Sequence, residues 1–324
     1  MSELRFDGVS VHYGPHRTGL TAVDHVDLTV ASGKVLGLVG ESGSGKSTLA
    51  RAAVGLAPVT TGRVLLDGVD VRTLPRRGRP IQMVFQDPYS SLDPRMTIGE
   101  SIAEAIPPGA VRRGAARRAE VGRLLELVSL DPDRAAALPG GMSGGQRQRV
   151  ALARALAGRP KIVIADEMTS ALDVSVQGAV LNVVRAVQRE LGLTMLFISH
   201  NLSVVRYLSD DIAVMYLGRV VEAGPALAVL ADPQHPYTAD LIDAIPSQQG
   251  HLLADEPSAI SDSEPPDPHE PPSGCRYHPR CPVGPKVLPE RHVCVSTDPS
   301  AADHRHAAAC HFAELRTAPA PASP

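Results

Sequence analysis

Apolar and polar residues alternate along residues 4–13, 23–30 and 64–71. This period of two predicts half-solvated antiparallel strands, with Asp67-Gly68 as a hairpin turn. Elsewhere the apolar residues run almost without interruption: Val35-Leu36-Gly37-Leu38-Val39, Ile81-Gln82-Met83-Val84-Phe85, Ile162-Val163-Ile164-Ala165 and Thr194-Met195-Leu196-Phe197-Ile198. Each predicts a short buried strand. From Met96 to Arg159 the strand patterns vanish, and Val121, Leu124, Leu125 and Val128 mark an amphipathic helix with Arg on its other face. The basic run at 112–118 is most simply a solvated helix start, and the whole segment reads as a helical insertion in an α/β domain. Val176, Val180, Val183, Val184 and Val187 lie on one face of a further helix before the last buried run.

The first buried run enters Gly40-Glu41-Ser42-Gly43-Ser44-Gly45-Lys46-Ser47-Thr48, which fits the phosphate-wrapping pattern G-x-x-x-x-G-K-[ST]. Glycines let the backbone turn tightly and bring its N–H groups up to an anion, where a Cβ would intrude. Lys46 can reach the β- and γ-phosphates, the Ser47 hydroxyl can join a Mg²⁺ shell, and residues 48–53 read as a helix whose N-terminus faces the phosphates. A Gly/Ser-rich surface turn is the bland alternative; the flanking strand and helix count against it.

Polar residues stand at the ends of the other buried runs. Asp166 is placed to hold Mg²⁺ and Glu167 to orient and deprotonate an attacking water, unless both merely cap the next helix. Gln86 suits a ligand site at a strand end, or begins an Asp-Pro turn. His200 is either structural or a γ-phosphate sensor, and Tyr13 either stacks on adenine or packs at a sheet rim. Ser143-Gly144-Gly145-Gln146 opens a helix as a second anion-binding turn. One chain has no evident need for two phosphate clamps on one nucleotide, which calls for a second chain. The plain alternative is a Ser-capped helix start, which Gly-Gly would weaken.

Composition narrows the classes. A chain of 324 residues has room for one large domain or two ordinary ones, and a net charge of −3 gives no reason to expect nucleic-acid binding. With 43% apolar residues, no run approaches the about 20 needed to span a bilayer, and the N-terminus has no apolar signal region, so the expected compartment is the cytoplasm. Aromatics are only 3%, so each Tyr and Phe invites a question.

Together these pieces resemble the nucleotide-binding subunit of an ATP-binding-cassette (ABC) transporter over about residues 4–246. The resemblance rests on Tyr13, GESGSGKST, Gln86, MSGGQ, IVIADE with SALD, and His200, in family order. It implies an α/β P-loop NTPase core with an antiparallel β subdomain and a helical insertion at about 96–159. It implies ATP contacts from Tyr13, Gly40, Ser42, Gly43, Ser44, Gly45, Lys46, Ser47, Thr48, Gln86, Ser143, Gly144, Gly145, Gln146, Asp166 and Asp173. Mg²⁺ would fall to Ser47, Gln86 and Asp166, and catalysis to Glu167, His200 and Gln86. Two such domains would pair head to tail, each Ser-Gly-Gly turn closing on the other's ATP, with the helical insertion docked on a membrane subunit. Met142, Met168, Asn201 and Gly140-Gly141 depart from the usual Leu, Pro, Asp and His-Glu. None removes a phosphate, metal or water ligand, so ATPase competence is expected, while Gly140-Gly141 bears on docking.

His235-Pro236-Tyr237-Thr238-Ala239-Asp240-Leu241 resembles the HPYT-x-x-L element of dipeptide, oligopeptide and nickel importers, and residues 86–95 and 174–177 look like the same branch. That resemblance implies a peripheral subunit at the cytoplasmic face of the cell membrane, powering import of di- or oligopeptides. Its partners would be a second, related ATPase (in a heterodimer, or a homodimer), two permeases and an extracytoplasmic solute-binding protein, with no nucleic acid. Nickel is the variant cargo. A soluble ABC ATPase acting in translation or DNA maintenance is the rival class, and a P-loop kinase would not explain MSGGQ.

Residues 247–273 are acidic and rich in Ser and Pro, a flexible linker, and the element at 274–324 carries all four cysteines. Disulfides at Cys275, Cys281, Cys294 and Cys310 fit the count but not a reducing compartment. Zn²⁺ fits four thiolates, with His278, His292 or His311 as substitutes, though the gaps are longer than in most zinc sites. Residues 274–282 resemble the C-terminal element of peptide-importer ATPases, some of which hold a [4Fe–4S] cluster on four cysteines. A cluster is therefore the favoured expectation and zinc the second. Its role is expected to be structural, with ATPase chemistry independent of it. Residues 319–324 read as a disordered end.

Overall fold

Strand β1 (Leu4–Tyr13), β2 (Leu20–Val30) and β3 (Val35–Val39) lead into helix α1 (Lys46–Val54), followed by β4 (Thr61–Leu66), β5 (Val69–Asp70) and β6 (Ile81–Val84). Helices α2 (Ile98–Ala105), α3 (Ala115–Leu127) and α4 (Gly144–Ala157) come next. Then β7 (Ile162–Asp166), α5 (Val174–Leu191), β8 (Thr194–Ile198), α6 (Leu202–Leu208), β9 (Asp211–Tyr216) and β10 (Arg219–Pro225) complete the α/β alternation. Short α7 (Ala226–Ala231), α8 (Pro236–Asp243), α9 (Val293–Ser296), β11 (Ala302–Asp303) and β12 (Ala307–Ala308) finish the chain. The computed structural model describes residues 2–15, 19–74, 79–87, 91–244, 266–299, 302–303 and 306–313. Most of the expected linker, the expected disordered end and residues 88–90 of the 86–95 stretch lie outside the described residues.

The alternating stretches form one antiparallel sheet in the order β2-β1-β4-β5. Leu4, Phe6, Val9 and Val11 of β1 are fully buried. Asp67 and Gly68 both take left-handed backbone, φ 51° and 80°, as a two-residue hairpin with native strand twist requires.

The unbroken apolar runs form the second sheet, ordered β11-β12-β10-β9-β3-β8-β7-β6. Its strands β9, β3, β8, β7 and β6 are parallel. β3, β7 and β8 are buried along their whole length, as strands covered on both faces must be. Residues 81–85 differ from the expected buried strand: β6 is the sheet's edge, Gln82 and Met83 are half-buried, and Phe85 is 38% exposed. An edge strand has only one neighbour to cover it.

The helical segment packs through a continuous stripe. Val121, Leu124 and Leu125 of α3, with Val128 just beyond it, are buried against α2 and α4. Burying each such side chain stabilises by about 1.5–3 kcal/mol, which outweighs any helix propensity. The basic run is not wholly solvated, because the Arg117 guanidinium donates to the carbonyls of Ala103 and Ile106 and so satisfies the end of α2. At the other end, β12 pairs antiparallel with β10, Glu222 opposite Ala308 and Ala223 opposite Ala307. The C-terminal element is thereby built into the main sheet.

Candidate functional site

The loop between β3 and α1 curls around its own lysine. Gly45 has φ 102°, and a Cβ there would stand 2.3 Å from the Ala22 carbonyl oxygen, so only glycine fits. Gly43, at φ 79°, faces open space and is needed for its backbone alone. The Lys46 ammonium donates to the carbonyls of Gly40 (2.9 Å) and Glu41 (2.7 Å) and to Ser44 Oγ (3.2 Å). Burial pulls its pKa below the ordinary value, against the opposing fields of Glu167, Asp166 and Glu41. Ser44 is buried, Ser47 and Thr48 are half-buried, and Ser42 is exposed.

Three strand ends converge beside this loop. Ser47 Oγ donates to Asp166 Oδ1 at 2.9 Å, joining the first turn of α1 to the end of β7. Burial pushes the Asp166 carboxyl above its ordinary value; the Ser47 hydrogen bond opposes this and the neighbouring Glu167 charge adds to it. A buried carboxylate and a hydroxyl, meeting next to backbone N–H groups, are a donor set suited to Mg²⁺ at a phosphate. A bound cation would relieve both the desolvation and the repulsion.

Glu167 follows with φ 47°, a left-handed backbone unusual for a non-glycine and worth about 1–3 kcal/mol of strain. Its N–H donates to the Ile198 carbonyl (3.1 Å) and its own carbonyl accepts from Ser170 Oγ (3.0 Å). Glu167 Oε1 lies 3.5 Å from His200 Nδ1, at the end of β8. Gln86 Nε2, beyond the end of β6, donates to Ser170 Oγ at 3.2 Å. Gln86, Glu167 and His200 thus come together around Asp166, Ser47 and Lys46. Asn201 departs from the usual Asp yet caps α6, its Oδ1 accepting from Ser203 N–H (3.0 Å) and Val204 N–H (3.4 Å).

The remaining expected residues lie elsewhere. Tyr13, at the end of β1, is 38% exposed. Asp173 is exposed at the start of α5, where its carbonyl accepts from Gln177 N–H (2.8 Å). Ser143 caps α4: its Oγ accepts from Gln146 N–H (3.3 Å), and Gln146 Oε1 accepts from Ser143 N–H (2.9 Å). Gly-Gly does not prevent this cap. Gly145 is required by packing as well, since a Cβ would lie 2.5 Å from Val176 Cγ1 of α5. Met142 and Met168 are buried, so both departures fill the core, whereas Gly140 and Gly141 face open space.

Residues 23–170 match the ABC transporter family, and residues 221–286 match the oligopeptide/dipeptide transporter C-terminal region. A putative peptide import ATP-binding protein of Brucella ovis is 44% identical over 285 residues, spanning 86% of this chain and 89% of that protein. The chain belongs to the ABC transporter ATP-binding proteins. This ABC ATPase is also 45% identical, over 292 residues, to a probable peptide ABC transporter ATP-binding protein of Sinorhizobium fredii, covering 86% and 82% of the two chains. Its fold is similar to that of a dimeric ATP-binding cassette solved in a post-hydrolysis state with ADP and phosphate. The TM-score is 0.62 at 29% identity, over 69% of this chain and 98% of the other. Its activity is ATP hydrolysis.

Two residues that sequence reasoning missed bind the ABC ATPase's phosphate loop to α8 and to the C-terminal element. Glu41 N–H donates to Tyr237 Oη at 2.8 Å, and Arg280 Nη1 reaches both Glu41 carboxylate oxygens at 3.0 and 3.2 Å. Only the HPYT element hinted at this. His235 Nδ1 caps α8 by accepting from Tyr237 N–H (3.1 Å), Pro236 opens the helix, and Tyr237 is delivered to the loop. The rings of Tyr216, Tyr237 and Tyr277 pack with centroids 4.6–5.3 Å apart, which places half of the chain's six tyrosines in one seal.

All four cysteines are thiols and line a single cavity of about 20 Å³, together with Tyr277 and His278. Burial pushes the Cys275 thiol up to about 12 and the Cys281 thiol to about 11, and the neighbouring cysteines add to both rises. The donors are right in kind for a soft metal. Their spacing does not support the expected cluster or zinc, because among the described residues no three His, Cys, Asp or Glu side chains are placed to hold a metal ion. A cavity of this size has room for about one water.

Proposed function

We propose that this ABC ATPase powers uptake of a di- or oligopeptide or a similar solute, from the cytoplasmic face of a membrane importer. The observation that carries the cargo class is the match of residues 221–286 to the oligopeptide/dipeptide transporter region, in a chain whose relatives are named for peptide import. Residues 1–246 form the ATPase unit, with its helical part at 96–159; 247–273 is the linker and 274–324 the cysteine element. Two permeases and an extracytoplasmic binding protein complete the importer, and a second, related ATPase is the partner cassette. Among the described residues no helix is long and apolar enough to cross a membrane. A cleft of about 530 Å³ between β6 and helices α2 and α4, lined by Met83, Phe85, Ala105 and Arg154, supports a permease seat on the helical face.

At the ATP site Lys46 and the loop N–H groups hold the β- and γ-phosphates, while Ser47, Asp166 and Gln86 hold Mg²⁺. When bound, the metal neutralises charge developing on the phosphate oxygens. Glu167 accepts a proton from the attacking water, and His200 orients Glu167 and the γ-phosphate. Tyr13 stacks on adenine. Ser143, Gly144, Gly145, Gln146 and Asp173 serve the partner's nucleotide. In proteoliposomes carrying the assembled importer, ATP should drive uptake of a labelled di- or oligopeptide. Uptake of nickel alone would move the assignment to the metal importers, and turnover indifferent to any permease would favour a soluble ABC ATPase.

A [4Fe–4S] cluster on Cys275, Cys281, Cys294 and Cys310 is the finer reading of the tail; it rests on the likeness of residues 274–282 to the C-terminal element of peptide-importer ATPases and on the donor type of the four thiols, not on their spacing. Protein purified without oxygen should then carry iron and acid-labile sulfide, both lost in Cys281→Ser. Stoichiometric zinc in colourless protein would replace the cluster with the second reading, and neither metal would withdraw both.

A further inference from the structure

Glu41 is held from three sides. Its N–H bonds Tyr237 Oη, its carboxylate pairs with Arg280, and its carbonyl accepts from the Lys46 ammonium at 2.7 Å. The same carbonyl accepts from Ser44 N–H at 3.2 Å, closing the turn of the phosphate loop. Glu41 therefore closes one turn of the loop, and its outward-facing contacts both come from the C-terminal third of the chain. We infer that α8 and the C-terminal element together preorganise the phosphate loop, with Tyr237 of the former and Arg280 of the latter acting through Glu41 as positioning residues for ATP binding. The inference rests on the reading of residues 40–48 as the ATP phosphate loop.

The Arg280–Glu41 pair is not an ordinary surface ion pair. Such pairs contribute little because two long, mobile side chains must be ordered in water. Here the Arg280 side chain is 7% exposed, and the backbone around it is already fixed. Tyr277 donates to Asp240 of α8, Arg276 pairs with Asp24, and Cys275 N–H bonds the Cys294 carbonyl at 2.9 Å. The ordering cost falls on the fold of the element and is spent before ATP arrives. The Tyr237 ring is likewise buried within the tyrosine seal.

The effect belongs to binding more than to turnover. Neither Arg280 nor Tyr237 is among the groups gathered around Asp166 and Glu167. A preformed loop favours bound ATP and the transition state alike, so its loss raises KM with a smaller change in kcat. In the assembled transporter, Arg280→Gln and Tyr237→Phe should each raise both the Kd for a fluorescent ATP analogue and the KM for ATP by about tenfold. Arg280→Lys should recover part of the loss. If Arg280→Gln lowers the yield of folded protein, Glu41→Gln reads the same contact from its more exposed side and must show the same rise. Parent-like Kd and KM in Glu41→Gln and Tyr237→Phe, with binding lost in Lys46→Ala, would overturn the inference and leave the loop assignment standing. Parent-like binding in Lys46→Ala would instead remove the assignment beneath it.

Discussion

Glu167→Gln is expected to leave ATP and Mg²⁺ binding intact while lowering steady-state turnover by roughly 10²–10⁴-fold, the usual worth of a positioned general base. The substitution keeps the size and planarity of the side chain, so the groups that hold it should remain in place. Those are the His200 ring 3.5 Å from Oε1 and the backbone bonds to Ile198 and Ser170. What the amide cannot do is accept a proton from water. It also removes the carboxylate that adds to the rise in the Asp166 pKa, so Mg²⁺ affinity should not fall. Turnover of the assembled transporter, measured beside nucleotide affinity on the same preparation, checks this. Near-parental turnover would take the general-base role away from Glu167.

Lys46→Ala and Ser143→Arg are expected to disable two different ATP sites. Lys46→Ala removes a buried ammonium whose three acceptors lie in its own loop. Charge-assisted hydrogen bonds of this kind contribute about 1.5–3 kcal/mol each, so ATP affinity at this loop should fall on the order of 10²-fold. Ser143 is bonded to Gln146 within its own turn. Ser143→Arg should accordingly leave ATP on this loop bound normally, while blocking closure over the partner's nucleotide with a long, charged side chain. ATP-dependent crosslinks from the Ser-Gly-Gly turn to the partner's phosphate loop, anchored beside residue 143 and lost when Ser143→Arg is added, would bear out the head-to-tail pairing. Crosslinks confined to one chain would exclude it.

Much of the fold was legible because its signals are local. Alternation along 4–13 becomes β1, Asp67-Gly68 becomes a hairpin turn, and the unbroken runs at 35–39, 162–165 and 194–198 become buried parallel strands. Periodicity and turn chemistry depend on residues only a few positions apart. The phosphate loop was readable for the same reason: its glycines and Lys46 act on backbone conformation within one contiguous segment. The meeting of Gln86, Glu167 and His200 around Asp166 and Ser47 was anticipated only through the ABC resemblance, since strand order decides which ends become neighbours.

Other features were settled by tertiary structure alone. Residues 81–85 carry the pattern of a buried strand, but their place at the sheet's edge leaves Phe85 partly exposed. Gly145 has a packing reason that appears only when α5 brings Val176 against it. Arg117 looked like one cation in a solvated run until α2 placed two carbonyls beside it. Arg280 and Glu41 are 239 residues apart, and no local pattern marks either for the other. Local propensity and loop chemistry determine what each segment becomes; which segments then share a boundary follows from burying the apolar faces of all of them at once, and that closure put the C-terminal element against the phosphate loop.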